Sequence, residues 1–311
     1  MDNNPPDISV IIATYNVERY IERAVRSALD QHGVAAEIIV VDDGSTDGTT
    51  GVVERINDPR ITLIRHTGNS GPSVARNAAI AAAHAPWLAI LDGDDAFAPD
   101  RLMRCLARAR QTKADIIVDN LEIHREADGA IYPMFPPHAF ARMGMLDLAR
   151  FIRGNLLMLN GKSLGYLKPI FSAAFLRQHD LRYDPAIRIG EDYRLLAEAL
   201  ACGARCAVEP TAGYHYTVRA GSISHRLTLA DVTRMQDSDR HFLARHKLPP
   251  AARRAQALRT FSLNEAYHFA RLIDALKAKK WRAALAVIAQ RPTAALHLWS
   301  PIVARLRRIW S

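Results

Sequence analysis

The sequence predicts an α/β fold: a mainly parallel sheet flanked by helices, followed by a C-terminal helical extension. Three observations predict it. Short runs of β-branched and aliphatic residues alternate with helix-period segments through the first part of the chain. Clusters of turn-forming and acidic residues sit at the ends of several of those runs. Beyond about residue 228 only helical periodicity remains.

The first run, Ile8-Ser-Val-Ile-Ile-Ala-Thr14, is short, apolar and β-branched, as a strand buried on both faces requires. Tyr20, Ile21, Ala24, Val25, Ala28 and Leu29 then recur at helix spacing, predicting a helix over 18–31. Ile38–Val41 reads as a second buried strand, Thr49 to Asn57 as a helix and Ile61–Ile64 as a third strand. Gly71-Pro72-Ser73 opens an alanine-rich helix to about His84, with proline in the first turn where its missing N–H costs nothing. Trp87–Leu91 is a fourth strand, Pro99 to Gln111 a helix and Asp115–Val118 a fifth strand.

After residue 120 the alternation weakens. Residues 121–145 read as a β-excursion and loops, 146–153 as a short helix and 165–171 as an extended piece. A helix over 191–202 precedes a short strand, Arg205–Val208, and a polar, aromatic loop over 214–219. Leu248-Pro249-Pro250 and Arg291-Pro292 break the following helices. These signals divide the chain into a domain over 1–227 and a basic helical region over 228–311.

Composition narrows the functional class. With 311 residues, 49% of them hydrophobic, the chain can bury a sizeable core. No apolar run reaches the roughly 18 residues that span a bilayer, and Met1–Asp7 has neither the basic nor the apolar region of a signal peptide. A cytoplasmic location is expected. Cys105, Cys202 and Cys206 are too few and unevenly numbered for a disulfide framework, and read as buried, reduced thiols. The net charge of +9 is lopsided: from Arg240 to Ser311 there are 15 Lys and Arg against Glu265 and Asp274 alone, so a near-neutral body carries a basic tail.

Ligands of open α/β sheets bind outside the carboxyl ends of the strands. Thr14-Tyr15-Asn16, Asp42-Asp43-Gly44-Ser45 and Asp92-Gly93-Asp94-Asp95 all fall at such ends. The last cluster is the most telling, because three carboxylates within four residues repel unless a cation or hydrogen-bond donors compensate. Mg²⁺ or Mn²⁺, which takes one or two carboxylates together with phosphate oxygens, fits that demand; an acidic turn capping the next helix is the plainer alternative. No G-x-G-x-x-G follows the first strand and no G-x-x-x-x-G-K-[ST] occurs anywhere, which argues against dinucleotide dehydrogenases and P-loop phosphotransferases.

Taken in order, these segments carry a resemblance. Ser9–Asn16, Val41–Asp47, Gly71–Asn77 (G-x-S-x-A-R-N), Leu91–Asp95 and Gly190-Glu191-Asp192 resemble the motifs of family-2 inverting glycosyltransferases of the GT-A fold, and the match covers about 8–225. The resemblance implies a metal-dependent hexosyltransferase that uses a nucleotide-sugar donor, with UDP-sugars favoured, on a glycan or lipid-linked acceptor in surface-polysaccharide assembly. It implies that Asp43 binds the donor's base, that Thr14, Tyr15 and Asn16 line the base and ribose pocket and that Arg76 supports the nucleotide. Asp92 would face the ribose or sugar, Asp94 would hold Mg²⁺ or Mn²⁺, and Asp95 would support the donor sugar or the metal. Asp192 would be the catalytic base, with Glu191 as the fallback. Tyr214–Arg219 with Ser222-Ile223-Ser224 resembles a stretch that closes over the diphosphate, making His215 and Arg219 candidate donor contacts.

In the tail, Lys277–Arg282 and Arg305–Trp310 set cations beside indoles, as does the wider segment carrying Trp281, Trp299 and Trp310. That composition fits an interfacial helix on an anionic membrane, hence a peripheral position on the inner face of the cell membrane. A solvated basic face packed on the rest of the chain is the competing reading; no nucleic-acid recognition module is visible. Processive synthases of the family this chain resembles add membrane helices and a Q-x-x-R-W motif; neither is found in this sequence, so the resemblance implies a single transfer rather than processive synthesis. Two rival functions stay open: a nucleotidyltransferase of related fold, which would carry a Gly-rich loop where Thr14-Tyr15-Asn16 stands, and a non-catalytic nucleotide-sugar-binding module.

Overall fold

The computed structural model describes residues 5–158, 162–219 and 227–297. The chain divides into two compact units, Met1–Leu148 with Leu164–Ser222, and Ala149–Ser163 with Ile223–Ser311.

The first unit is built on one sheet. Its strands are β1 (Ile8–Thr14), β2 (Ala36–Asp42), β3 (Ile61–Arg65), β4 (Trp87–Asp92), β5 (Ala96–Phe97), β6 (Ile116–Arg125), β7 (Ala130–Pro133), β8 (Ile170–Ser172) and β9 (Cys206–Val218). The helices of this unit are α1 (Ile21–Leu29), α2 (Thr49–Ile56), α3 (Pro72–Ala82), α4 (Arg101–Thr112) and α5 (Pro137–Ala141); α6 (Leu148–Arg153) begins at its boundary, and α7 (Ala173–Gln178) and α8 (Glu191–Ala201) complete the set. Strand order is β3-β2-β1-β4-β8-β6-β9-β5, with β7 paired to β6. The half from β3 to β4 is parallel throughout. Beyond it β8 enters antiparallel between β4 and β6, while β6 and β9 are parallel. The mainly parallel, helix-flanked sheet expected from the sequence is present.

The central strands explain the apolar runs. Ile8, Val10, Ile11 and Ile12 of β1 are fully buried, as are Ile38–Val41 of β2, because helices cover both faces of a parallel sheet. Helix α3 packs on β1 and β2, α1 on β2 and β5, and α4 on β6 and β9. Register then positions the site. Thr14 pairs with Asp42, and Ala13 with Asp92, so the carboxyl ends of β1, β2 and β4 finish level with one another. Strand β8 runs the other way, with Ile170 opposite Ala89 and Phe171 opposite Leu88. The residues just before β8, Lys168 among them, therefore lie beside the end of β4.

Some expectations need correction. Tyr214–Val218 is not a loop: it continues β9, which runs 13 residues instead of ending near Val208. Pro210 and Gly213 disguised it, and a register irregularity between Asp119 and Leu121 of β6 accommodates the interruption. Gly213 sits where a Cβ would come within 2.8 Å of Arg101 Cγ. The stretch taken as β-excursion and loops holds the last part of β6, β7 and the short α5. The extended piece at 165–171 is a 3-10 turn, Leu164–Tyr166, leading into the shorter β8. The three thiols are free, but only Cys105 and Cys206 are buried; Cys202 is half-exposed.

The second unit contains most of α6, then α9 (Leu229–Arg245), α10 (Pro250–Lys277), α11 (Trp281–Gln290) and α12 (Thr293–Leu296). A capping box starts α9: Thr228 accepts from the Asp231 N–H, and Asp231 accepts from the Thr228 N–H. Helix α10 packs on α9, α11 and α12, and Leu272, Ala275, Ala284, Val287 and Ala294 form an apolar cluster. Buried Asp239 accepts from Gln256 at 2.7 Å and from Arg259 at 2.9 Å, and Arg259 also donates to the Asn155 carbonyl, tying in the segment 149–163. Trp281 and Leu285, one turn apart on α11, are 63% and 66% exposed. No helix among the described residues is long and apolar enough to cross a membrane. Ser222, Ile223, Ser224, Trp299, Trp310 and the Arg305–Trp310 run lie outside the described residues.

Candidate active site

The site assembles at the level strand ends. After β1, Asn16 adopts a left-handed backbone (φ 52°), tolerated because its short amide bonds locally. Its side-chain oxygen accepts from the Thr46 N–H at 2.8 Å, and its own N–H donates to Ser45 Oγ. The β1 and β2 loops are thus laced together. Tyr15 is 42% exposed beside them. Thr14 is buried, and its hydroxyl has no hydrogen-bond partner among the described residues.

After β2, Asp43 is buried and fully engaged. Its carboxylate accepts from the Ser70 and Gly71 N–H groups at 3.0 and 2.7 Å and lies 2.9 Å from His66 Nδ1. Those two amides precede α3, so the carboxylate also faces the positive end of that helix.

After β4 the chain turns sharply through Gly93, where a Cβ would come within 2.9 Å of Thr14 Oγ1. The three carboxylates of this turn separate. Asp92 faces Arg76 at 2.6 Å and Lys168 at 2.7 Å. Asp94 accepts from Arg219 Nε at 2.7 Å, and its carbonyl accepts from Arg23. Asp95 is buried inward, accepting from Tyr214 Oη and the Thr217 N–H, each at 2.7 Å. Burial pushes the Asp95 pKa well up, and the charges of Asp94 and Asp92 push the same way. Its carboxylate ties the turn to β9.

Helix α8 delivers the two remaining acids. Gly190 precedes it with φ 89°, a conformation that favours glycine. Both acids stand in the first turn, where a helix favours negative charge. Asp192 is met by Lys168 Nζ at 2.6 Å, Tyr183 Oη at 3.1 Å and Arg76 at 3.3 Å. Glu191 accepts from Arg76 at 2.7 Å. Both touch Arg76, and Asp192 alone also holds Lys168 and Tyr183.

Arg76 and Lys168 are therefore buried cations shared among one buried acid, Asp192, and two partly buried ones, Asp92 and Glu191. Burial alone would lower both pKa values, but Asp192 and Asp92 outweigh it and raise them, so both stay charged. Burial tends to raise Asp92, but Lys168 and Arg76 hold its carboxyl well below the usual carboxylate range. Burial, then the charge of Asp192, pushes Glu191 up. Arg76 stacks 5.2 Å from the Tyr183 ring centre, and its buried Nε has no partner among the described residues.

Of the residues singled out from sequence, Thr14, Asn16 and Asp43 share the β1–β2 loops, and Arg76, Asp92, Glu191 and Asp192 share one ionic network. Arg219 joins Asp94. His215 does not join them through its ring: its Nε2 lies 3.6 Å from Glu122. Lys168 and Tyr183 were missed, and Tyr214 was named only as part of a stretch, without its place beside Asp92 and Asp95. The two tyrosines are buried, and Tyr214 accepts from the Asp92 N–H. Period-two alternation of Tyr214 and Tyr216 was the available signal for the last of these; Lys168 offers none. The Asp94 carboxylate, 21% exposed and already paired with a cation, is an oxygen donor suited to a hard divalent ion.

A mainly parallel sheet with a polar loop at the end of β1 and acidic loops at the ends of β2 and β4 matches the architecture of GT-A glycosyltransferases. The chain belongs to glycosyl transferase family 2, whose family model matches residues 9–175. It is 46% identical over 304 residues to the succinoglycan biosynthesis protein ExoO of Rhizobium meliloti, covering 98% of this chain and 87% of that protein. It is 36% identical over 274 residues to ExoU of the same organism, covering 87% and 79%. Among solved structures, S. aureus TarS 1–349 in complex with UDP-GlcNAc matches with a TM-score of 0.67 at 22% identity, over 93% of this chain and 81% of that one. The mannosyltransferase PcManGT of Pyrobaculum calidifontis, in complex with GDP-Man and Mn²⁺, matches with a TM-score of 0.64 at 19% identity, over 99% and 84%. At those identities the structural likeness speaks to the fold.

Proposed function

We propose that the chain transfers one hexose from a nucleoside diphosphate sugar, with UDP the favoured nucleotide, to an acceptor hydroxyl with inversion. The observation that carries this reading is the bridge between Asp92 and Asp192: Arg76 and Lys168 each contact both carboxylates. A donor at the end of β4 is then within one side chain's reach of a base on α8.

Asp43 and the Thr14–Asn16 loop hold the nucleotide's base and ribose, and Asp92 faces the sugar side. Asp192 takes the acceptor's proton as the acceptor oxygen attacks the anomeric carbon. Tyr183 and Lys168 fix the direction in which that carboxylate points. Arg219 offsets charge on the departing diphosphate. A single displacement with no enzyme nucleophile inverts the anomeric centre. Asp94 would hold Mg²⁺ or Mn²⁺, which when bound supplies positive charge to the diphosphate.

The nucleotide-sugar complexes of the structural relatives support the donor class, and the names of ExoO and ExoU support a place in succinoglycan-type surface polysaccharide assembly; a lipid-linked acceptor is part of the proposal. Exposed Trp281 and Leu285 beside Lys277, Lys279, Lys280 and Arg282 fit docking on the anionic inner face of the cell membrane. Flotation with anionic liposomes at low salt should recover the protein; Trp281→Ala with Leu285→Ala should reduce the recovered fraction, and equal recovery would reject this face.

The test of the reaction is Asp192→Asn. Turnover should fall by about 10²–10⁴-fold while UDP affinity by calorimetry stays within about twofold. Near-normal turnover would remove Asp192 from the base role.

A further inference from the structure

His215 has a different set of neighbours from those expected of a donor contact. Glu122 and His124 are two residues apart on β6 and so share a face of the sheet. His215 on β9 pairs directly opposite Glu122 in the parallel register. His124 Nε2 lies 2.8 Å from Glu122 Oε1, and His215 Nε2 lies 3.6 Å from the same oxygen. The two imidazole rings are 4.7 Å apart at 33°. One ligand atom from each of the three residues falls within 4.8 Å of the others.

We propose that Glu122, His124 and His215 form a binding site for a borderline-soft divalent ion of the Zn²⁺ class, separate from Asp94. Two imidazole nitrogens and one carboxylate oxygen are a donor set that zinc takes with water in a fourth position. Asp94 offers oxygen in its place, which suits Mg²⁺ or Mn²⁺. Two strands of one sheet hold all three backbones, so little ordering is left to be done on binding. The side chains are 28%, 38% and 29% exposed for His124, Glu122 and His215, leaving an open path for the ion. Burial lowers the His215 pKa and His124 lowers it further, against the opposing pull of Glu122, so the ring favours its neutral, ligating form. The neighbouring guanidinium of Arg23 is occupied by the Asp94 carbonyl and Thr217 Oγ1.

An ion here would join β6 to β9 just before Thr217, through which β9 reaches Asp95, and Arg219, which follows β9 and pairs with Asp94. Its part is to brace that wall of the unit, and it takes no share in the displacement.

The experiment is calorimetric titration of the EDTA-stripped, dialysed full chain with Zn²⁺. One site should appear in the wild type and persist in Asp94→Asn. His124→Ala and His215→Ala should each weaken it by at least about tenfold, and Zn²⁺ should raise the thermal midpoint of the wild type but not of the double variant. Histidine ring NMR of the unmutated chain gives a second readout: two imidazole resonances should shift on adding Zn²⁺. No binding by the wild type, an unchanged isotherm in the double histidine variant, or loss of the site in Asp94→Asn in its place would overturn the proposal.

Discussion

At the β2 end of the site, Asp43 is satisfied by two backbone amides and one histidine that follow it within 28 residues. At the β4 end, Asp92 is satisfied by Arg76, which precedes it, and by Lys168, far along the chain. The first arrangement is a carboxylate in a local nest of amides. The second is a lattice of side-chain charges in which each cation serves several acids. Local nests come with recognisable sequence: small residues, turns and a helix start. Ionic lattices come from topology, and their members look ordinary one at a time. The difference also predicts unequal fragility, because a lost amide contact leaves one neutral group unpaired, whereas a lost shared cation leaves one buried and one partly buried charge short of a partner.

The sharpest way to break this comparison is Lys168→Met. Lys168 is 6% exposed, and removing one partner from a buried ionic cluster typically costs about 3–5 kcal/mol. Urea unfolding should show a loss of that order. It should also show a change with pH. Because Lys168 and Arg76 hold the Asp92 pKa below its unfolded value, Asp92 contributes stability that is full above the ordinary carboxylate value near about 4 and is lost as pH falls through the folded one. Without Lys168 that folded value rises, so acid unfolding should begin at higher pH. A variant as stable as the wild type, with the same acid limb, would mean that Arg76 alone satisfies both acids.

Asp43→Asn addresses the other end. The amide keeps one acceptor oxygen and turns a donor toward the Ser70 and Gly71 N–H groups. One unpaired buried group costs about 1–3 kcal/mol, below the loss expected for Lys168→Met. UDP affinity should fall as well; an unchanged UDP isotherm would take Asp43 out of the nucleotide pocket. If the ranking of the two variants reversed, the distinction between nest and lattice would fail.

That distinction also explains what could be read in advance. Thr14, Asn16 and Asp43 sit where a buried strand meets a turn, and sequence periodicity locates such places well. Arg76 and Asp92 were legible as members of ordered motifs, yet nothing local said that one guanidinium would join Asp92, Glu191 and Asp192. Lys168 was invisible because its position depends on β8 reversing direction between β4 and β6, a long-range pairing with no local signature. The length of β9 was hidden differently. Pro210 and Gly213 argue for a break, and the sheet absorbs them through the register irregularity opposite. In the second unit the capping box at Thr228 marks the start of α9 openly, while the bond from Arg259 to the Asn155 carbonyl, which ties residues 149–163 to the helices, could not be inferred from either segment alone.

The smallest expected effect lies on the third kind of site, the half-exposed His215. Burial and His124 lower its pKa in the folded chain despite Glu122. The unfolded chain therefore binds a proton more readily as pH drops below the ordinary histidine value near about 6.5. His215 thus contributes stability that is present above that pH and lost as pH falls through the folded value. With EDTA present to exclude metal, the urea midpoint of the wild type should decline between pH 7.5 and 5.5, and in His215→Gln the decline should be shallower by a small fraction of the shift seen for Lys168→Met. Solvent reaches this ring, so screening keeps the effect small, as it does for other exposed charges. An equal slope in the two proteins would show that the ring is as easily protonated folded as unfolded. It would then be a surface group set apart from the buried charges of the β4 end.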